Sequence, residues 1–145
     1  MQKRNIKPEF EVYHNGSAQV IHHLIRLGLV TGPYWVQTVM GSQTASYPTP
    51  DNLISLLREL SENAIWLTSG IGQFQLPMTA MATLMGGHVR VGLEDNVYYA
   101  RGELAKSNGQ LVERAARLGR EMNRTIATPA EARAMLGLSA IPSSY

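Results

Sequence analysis

Apolar positions along this 145-residue chain fall into short runs that alternate with longer, helically spaced ones, with glycine, proline or polar residues at each changeover. Residues 8–13, 34–40, 64–68 and 88–92 are rich in β-branched and aromatic side chains and are short enough to be strands. Helix signals lie between them. Val20, Leu24 and Leu27 recur at helical spacing in a segment from Ser17 to Leu27. Leu53, Leu56, Leu57 and Leu60 form an apolar stripe in a second helix that begins near Asp51. A third, from Leu76 to Met85, holds Pro77 in its first turn, where a missing N–H costs little. A fourth covers Asn108 to Met122. Thr128, Pro129 and Glu131 have the spacing of a capping box, opening a last helix to Leu136 with Gly137 as its C-cap.

Strands and helices alternating at this pitch imply βαβ units and a parallel sheet. The four units are half of an eightfold barrel, which typically takes about 250 residues. A small open four-stranded parallel sheet is the alternative. No glycine loop of the dinucleotide-binding kind follows the first strand, which favours the half barrel.

Composition narrows the chemistry more than the fold. A formal net charge of +2 is too slight to argue for a nucleic-acid partner, though it suits an anionic substrate. Cysteine is absent, so disulfides and thiolate metal sites are excluded. Any metal must be held by His, Asp, Glu or water. No apolar run reaches the roughly eighteen residues of a membrane span, and the polar start carries no apolar signal core. A cytoplasmic protein is expected.

In parallel α/β folds reactive groups gather where strands end. The segment from Gly86 to Asn96 is the richest such place, with Arg90, Glu94 and Asp95 close together and ringed by glycines. An aspartate beside Arg90 would fix the guanidinium, and Glu94 is a sound ligand for a hard metal or zinc. A surface loop with a structural salt bridge has the same composition. Glu9 and Glu11, two apart on a strand, face one side. In a barrel interior they would need partners, whereas on a solvated edge they would not. His22 and His23 are adjacent and cannot share a helix face as paired ligands do, and His14 is a weak candidate. The turn from Ser69 to Gly72 could offer N–H groups to an anion, or simply be tight.

These segments resemble the beta-keto acid cleavage enzymes. The resemblance runs through residues 7–13, 48–53, 66–72, 110–114 and 127–132, and is strongest over residues 86–96 and 101–108. It implies that the chain is the C-terminal half of a TIM (β/α)₈ barrel, with residues 1–145 as a single partial domain. It implies an acyl transfer in which a beta-keto acid and acetyl-CoA give acetoacetate and a new acyl-CoA, assisted by zinc or another divalent metal. On the family pattern Glu94 matches a metal ligand, Arg90 and Asp95 a catalytic pair that assists proton transfer, and Glu9 or Glu11 a substrate-binding residue. The family's His-x-His ligand motif is absent, His14 stands where an acidic residue is expected, and Gln73 stands where a basic one is. The chain alone is therefore expected to be inactive, working as a homo-oligomer or with a complementing N-terminal half. A non-catalytic α/β interaction module and another metal-dependent barrel aldolase are the competing readings.

Overall fold

Parallel pairing in strict chain order dominates the architecture. The computed structural model describes residues 1–4 and 6–141. In it β1 (Glu9–Val12), β2 (Tyr34–Met40), β3 (Ala64–Gly70) and β4 (His88–Val89) form a parallel sheet in the order β1-β2-β3-β4. Crossovers carry α1 (Asn15–Arg26), α2 (Pro50–Arg58) and α3 (Gln75–Leu84). After β4 come an antiparallel hairpin, β5 (Tyr98–Ala100) and β6 (Glu103–Leu104), and then α4 (Asn108–Glu121) and α5 (Pro129–Met135).

The register gives the sheet two chemically distinct faces. Glu9 pairs with Trp35, Glu11 with Gln37, Gln37 with Leu67, and Leu67 with His88. Because side chains alternate, these residues share one face with Arg90. The opposite face packs Val12, Val36 and Met40 against Ala18 and Ile21 of α1, Leu53 and Leu56 of α2, and Met78 of α3. Burying each such side chain contributes about 1.5–3 kcal/mol. Helices α1, α2 and α3 thus cover one side, as on the outside of a β/α barrel, while Val112, Ala115 and Ala116 of α4 line a cleft with Glu9, Trp35, Leu67 and Arg90 of the other side.

Local sequence explains the ends of the elements. Thr49 caps α2 by accepting from the Asn52 N–H, with Pro50 in the first turn. Thr128 and Glu131 form the expected capping box of α5, and Gly137, at φ +65, closes that helix. Arg124, just beyond α4, donates to the carbonyls of Thr83, Gly86 and Gly87 and so caps the C-terminal end of α3.

Three expectations are corrected. In α1 the buried residues are Ala18 and Ile21, with Ile25 packed on the core, while Val20 and Leu27 are exposed. Two apolar stripes compete on that helix, and the one facing β1 and β2 wins. The fourth strand pairs over only two residues because the chain turns at residues 93–95, where the Asn96 N–H donates to the Gly92 carbonyl. The hairpin β5–β6, turned at Gly102 with φ +79, was not anticipated.

Gly70 ends β3 where an added Cβ would lie 2.4 Å from the Phe74 carbonyl oxygen. Gly70→Ala is expected to destabilise the fold by about 1–3 kcal/mol through overpacking against backbone, measured as a lowered thermal midpoint by circular dichroism; an unchanged midpoint contradicts the packing described. Within the four-stranded sheet β1 and β4 each pair on one side only, so the chain purified alone is expected to self-associate through these edges. A monodisperse monomer by light scattering would count against that.

Candidate active site

The face of the sheet opposite α1, α2 and α3 gathers charge at its C-terminal end. Arg90 follows β4 and stays in register long enough for its N–H to donate to the Thr68 carbonyl. Its side chain therefore projects across the face toward β1. Nη1 lies 3.3 Å from Oε1 of Glu11, Nη2 lies 2.7 Å from Oε2 of Glu94, and Nε lies 3.2 Å from Oδ2 of Asp95. The three residues predicted after the fourth strand and one of the two on the first strand thus meet at a single guanidinium. Glu94 reaches it around the turn, not along an extended strand.

Gln37, which the sequence reading passed over, completes the group. It is fully buried in the middle of β2. Its amide Nε2 donates to Oε1 of Glu9 at 2.9 Å, and its Oε1 accepts from Nη1 of Arg90 at 3.0 Å. Glu9 is thereby tied to Arg90 through a neutral bridge. An amide amid the apolar run 34–40 was the available signal, since a buried polar side chain has to find partners. Tyr13 is a second omission. Its hydroxyl donates to Oε2 of Glu11 at 2.6 Å, and that bond, then burial and the Glu11 charge, raise the pKa of the phenol.

The turn that presents Glu94 and Asp95 is braced on every side. Gln75, fully buried at the start of α3, donates to the Gly92 carbonyl at 3.0 Å and accepts from Asn96 at 3.4 Å. Asn108 Oδ1 accepts from the Leu93 N–H, and the Gly72 N–H donates to the Asp95 carbonyl at 2.7 Å. The glycine turn after β3 therefore has its Gly72 N–H engaged in positioning Asp95.

Burial separates the acids. The Asp95 side chain is 8% exposed, against 42% for Glu11 and 83% for Glu94. Burial raises the Asp95 pKa above the usual carboxylate value, more than the Arg90 charge lowers it. Oδ2 of Asp95 makes no hydrogen bond of good geometry; its contact with Arg90 is electrostatic. For Arg90, burial opposes the cation, but the Asp95, Glu94 and Glu11 charges outweigh it and raise its pKa. His88, whose ring centroid lies 5.8 Å from that of Trp35, is kept toward its neutral form first by burial and then by the Arg124 charge.

The remaining histidines stand apart. His14 is exposed at the N-cap of α1, and Nε2 of His22 meets the Glu59 carbonyl at the end of α2 at 2.6 Å. Among the described residues no three His, Asp or Glu side chains are grouped to hold a metal ion. No helix among them is long and apolar enough to cross a membrane.

The sequence profile of the beta-keto acid cleavage enzymes matches residues 1–138. The chain is 42% identical over 139 residues to the 3-keto-5-aminohexanoate cleavage enzyme of Acetoanaerobium sticklandii, a match covering 96% of the chain and 51% of that protein. It is 43% identical over 136 residues to the enzyme of the same name from Fusobacterium nucleatum, covering 94% and 49%. It is 38% identical over 141 residues to the 3-oxoadipate:acetyl-CoA acetyltransferase of Cupriavidus necator, covering 95% and 50%. The chain thus spans about half the length of the curated relatives it matches.

A carboxyl whose folded pKa is raised favours the folded state below its unfolded pKa, and that contribution is lost as pH rises through the folded value. Asp95→Asn is therefore expected to gain stability relative to the native chain between about pH 4 and pH 7. Thermal melts of both proteins at the two pH values check this. A difference that stays constant with pH contradicts the burial effect on Asp95.

Proposed function

We propose, from the premise that this chain belongs to the beta-keto acid cleavage enzyme family, that it supplies the Arg90 cluster to an enzyme that converts a beta-keto acid and acetyl-CoA into acetoacetate and a new acyl-CoA. The observation that carries this is the convergence on one guanidinium of Glu11, Glu94, Asp95 and, through Gln37, Glu9. The family fold is a TIM barrel, and a four-stranded parallel sheet with its crossover helices α1, α2 and α3 on one face supports reading the chain as its C-terminal half, a single partial domain.

Each residue has a task on this reading. Arg90 is a fixed positive charge at the strand mouth, placed to stabilise the anionic oxygen that develops as a carbon–carbon bond forms and breaks. Asp95 orients Arg90, and its raised pKa suits a carboxyl that takes up and returns a proton. Glu11 is engaged at both oxygens, by Tyr13 and by Arg90. Glu9 keeps one oxygen without a partner among the described residues, which favours it as the substrate-binding carboxylate of the pair.

The metal implied by the family is not accommodated by this chain alone, because catalytic zinc sites take about three protein ligands. Exposed Glu94 is our assignment for the chain's one contribution to a zinc or other divalent site, with the other ligands coming from polypeptide beyond these four β/α units. No step above depends on it. Acetyl-CoA is the co-substrate, and we place the reaction in the cytoplasm.

A hybrid in which this chain replaces the matching half of the Acetoanaerobium sticklandii relative tests the proposal. With acetyl-CoA and a panel of beta-keto acids the hybrid is expected to release acetoacetate, and Arg90→Gln is expected to lower kcat by about 10²–10³. Glu94→Gln is expected to abolish metal retention by elemental analysis. No acetoacetate from a folded hybrid, with the intact relative active in parallel, rejects the assignment.

A further inference from the structure

Beside the Arg90 cluster, and not used by it, lies a cleft of about 970 Å³ between the start of α3 and the hairpin β5–β6. That volume falls in the roughly 300–1,000 Å³ range of small-molecule sites. Its walls combine apolar Leu76 and Pro77, the aromatic pair Tyr98 and Tyr99, and the cations Arg101 and Arg114, with no acidic residue in the lining. Arg114 is held in place: its guanidinium carbon sits 4.5 Å over the Tyr99 ring, and its Nη1 donates to the Tyr99 carbonyl. Arg117, one turn further along α4, donates to the Tyr99 hydroxyl at 3.5 Å. Arg101, in the turn of the hairpin, is exposed and has no ion pair among the described residues. Tyr98 is 50% exposed and lines the cleft.

Planar guanidinium groups with no ion pair among the described residues suit phosphate oxygens, and an exposed aromatic ring beside them suits a stacked base. The cleft adjoins the Arg90 cluster through two residues. Asn96, the neighbour of Asp95, lines it, and so does Gly72, whose N–H holds the Asp95 carbonyl at 2.7 Å. A ligand anchored here by a nucleotide could extend a flexible arm to Arg90.

We propose that this cleft binds the nucleotide end of acetyl-CoA, with Arg101 and Arg114 on its phosphates and Tyr98 against its adenine. The proposal rests on the acyl-transfer reading above and adds to it a place for the co-substrate.

The test is calorimetric titration of CoA, adenosine 3′,5′-bisphosphate and pantetheine into the 145-residue chain, with Arg101→Glu and Tyr98→Ala checked for folding by circular dichroism. CoA and the bisphosphate are expected to compete for one site. Arg101→Glu is expected to weaken both at least about tenfold, as loss of a charge-assisted contact does. Tyr98→Ala is expected to weaken both to a lesser degree, and pantetheine, which lacks the nucleotide, should bind all three proteins alike. Unchanged CoA affinity in a folded Arg101→Glu, or in Tyr98→Ala should the first variant not fold, overturns the site; so does failure of the bisphosphate to bind. Acetyl-pantetheine keeps this outcome separate from the reaction itself. Acetoacetate formed from it by the hybrid protein without any nucleotide binding overturns only the cleft, whereas intact CoA binding with no turnover overturns only the reaction.

Discussion

A cation surrounded by carboxylates is the constraint from which the charged face of this sheet follows. Glu9, Glu11, Glu94 and Asp95 outnumber Arg90 in charge, and Asp95 is nearly buried. Acids so close to one another are tolerated only where a positive charge and hydrogen bonds compensate them. The guanidinium has enough donors in a fixed plane to serve several at once, which a lysine ammonium on a flexible stem would do less well. The position of Arg90 depends in turn on the parallel register, which sets the end of β4 across two intervening strands from β1. The braces from Gln75, Asn108 and Gly72 then fix the turn bearing the last two acids.

Much of the architecture was legible because the signals were local. Strands 34–40 and 64–70, helix α2 and the capping box of α5 carry their instructions within a few residues. The buried side of α1 was not, since Val20, Leu24 and Leu27 are as well spaced as Ala18, Ile21 and Ile25. Only the packed sheet distinguishes the two stripes. The length of β4 was hidden for a similar reason: Val91 and Gly92 look like strand, but the Asn96-to-Gly92 bond that turns the chain lies outside the pattern.

At the site, the chemistry-bearing types were visible in residues 86–96 and on the first strand, but how they meet was not. Gln37 lies far from either segment in sequence and joins them only through the β1–β2 and β2–β3 registers. The family match and the geometry support one another here without being the same finding. The match covers residues 1–138 and about half the length of the relatives, while the geometry yields a four-stranded sheet whose charged face lies opposite the one packed by α1, α2 and α3.

The bridge made by Gln37 has a consequence for how the cluster responds to its surroundings. A carboxamide neither gains nor loses a proton across any pH at which the protein is folded, so the bridging group itself stays neutral whatever the acidity. On the far flank of the same guanidinium, Asp95 has its proton affinity raised by its enclosure. One cation therefore counts among its partners both a neutral amide that acidity leaves unchanged and an enclosed carboxyl whose hold on a proton is strengthened.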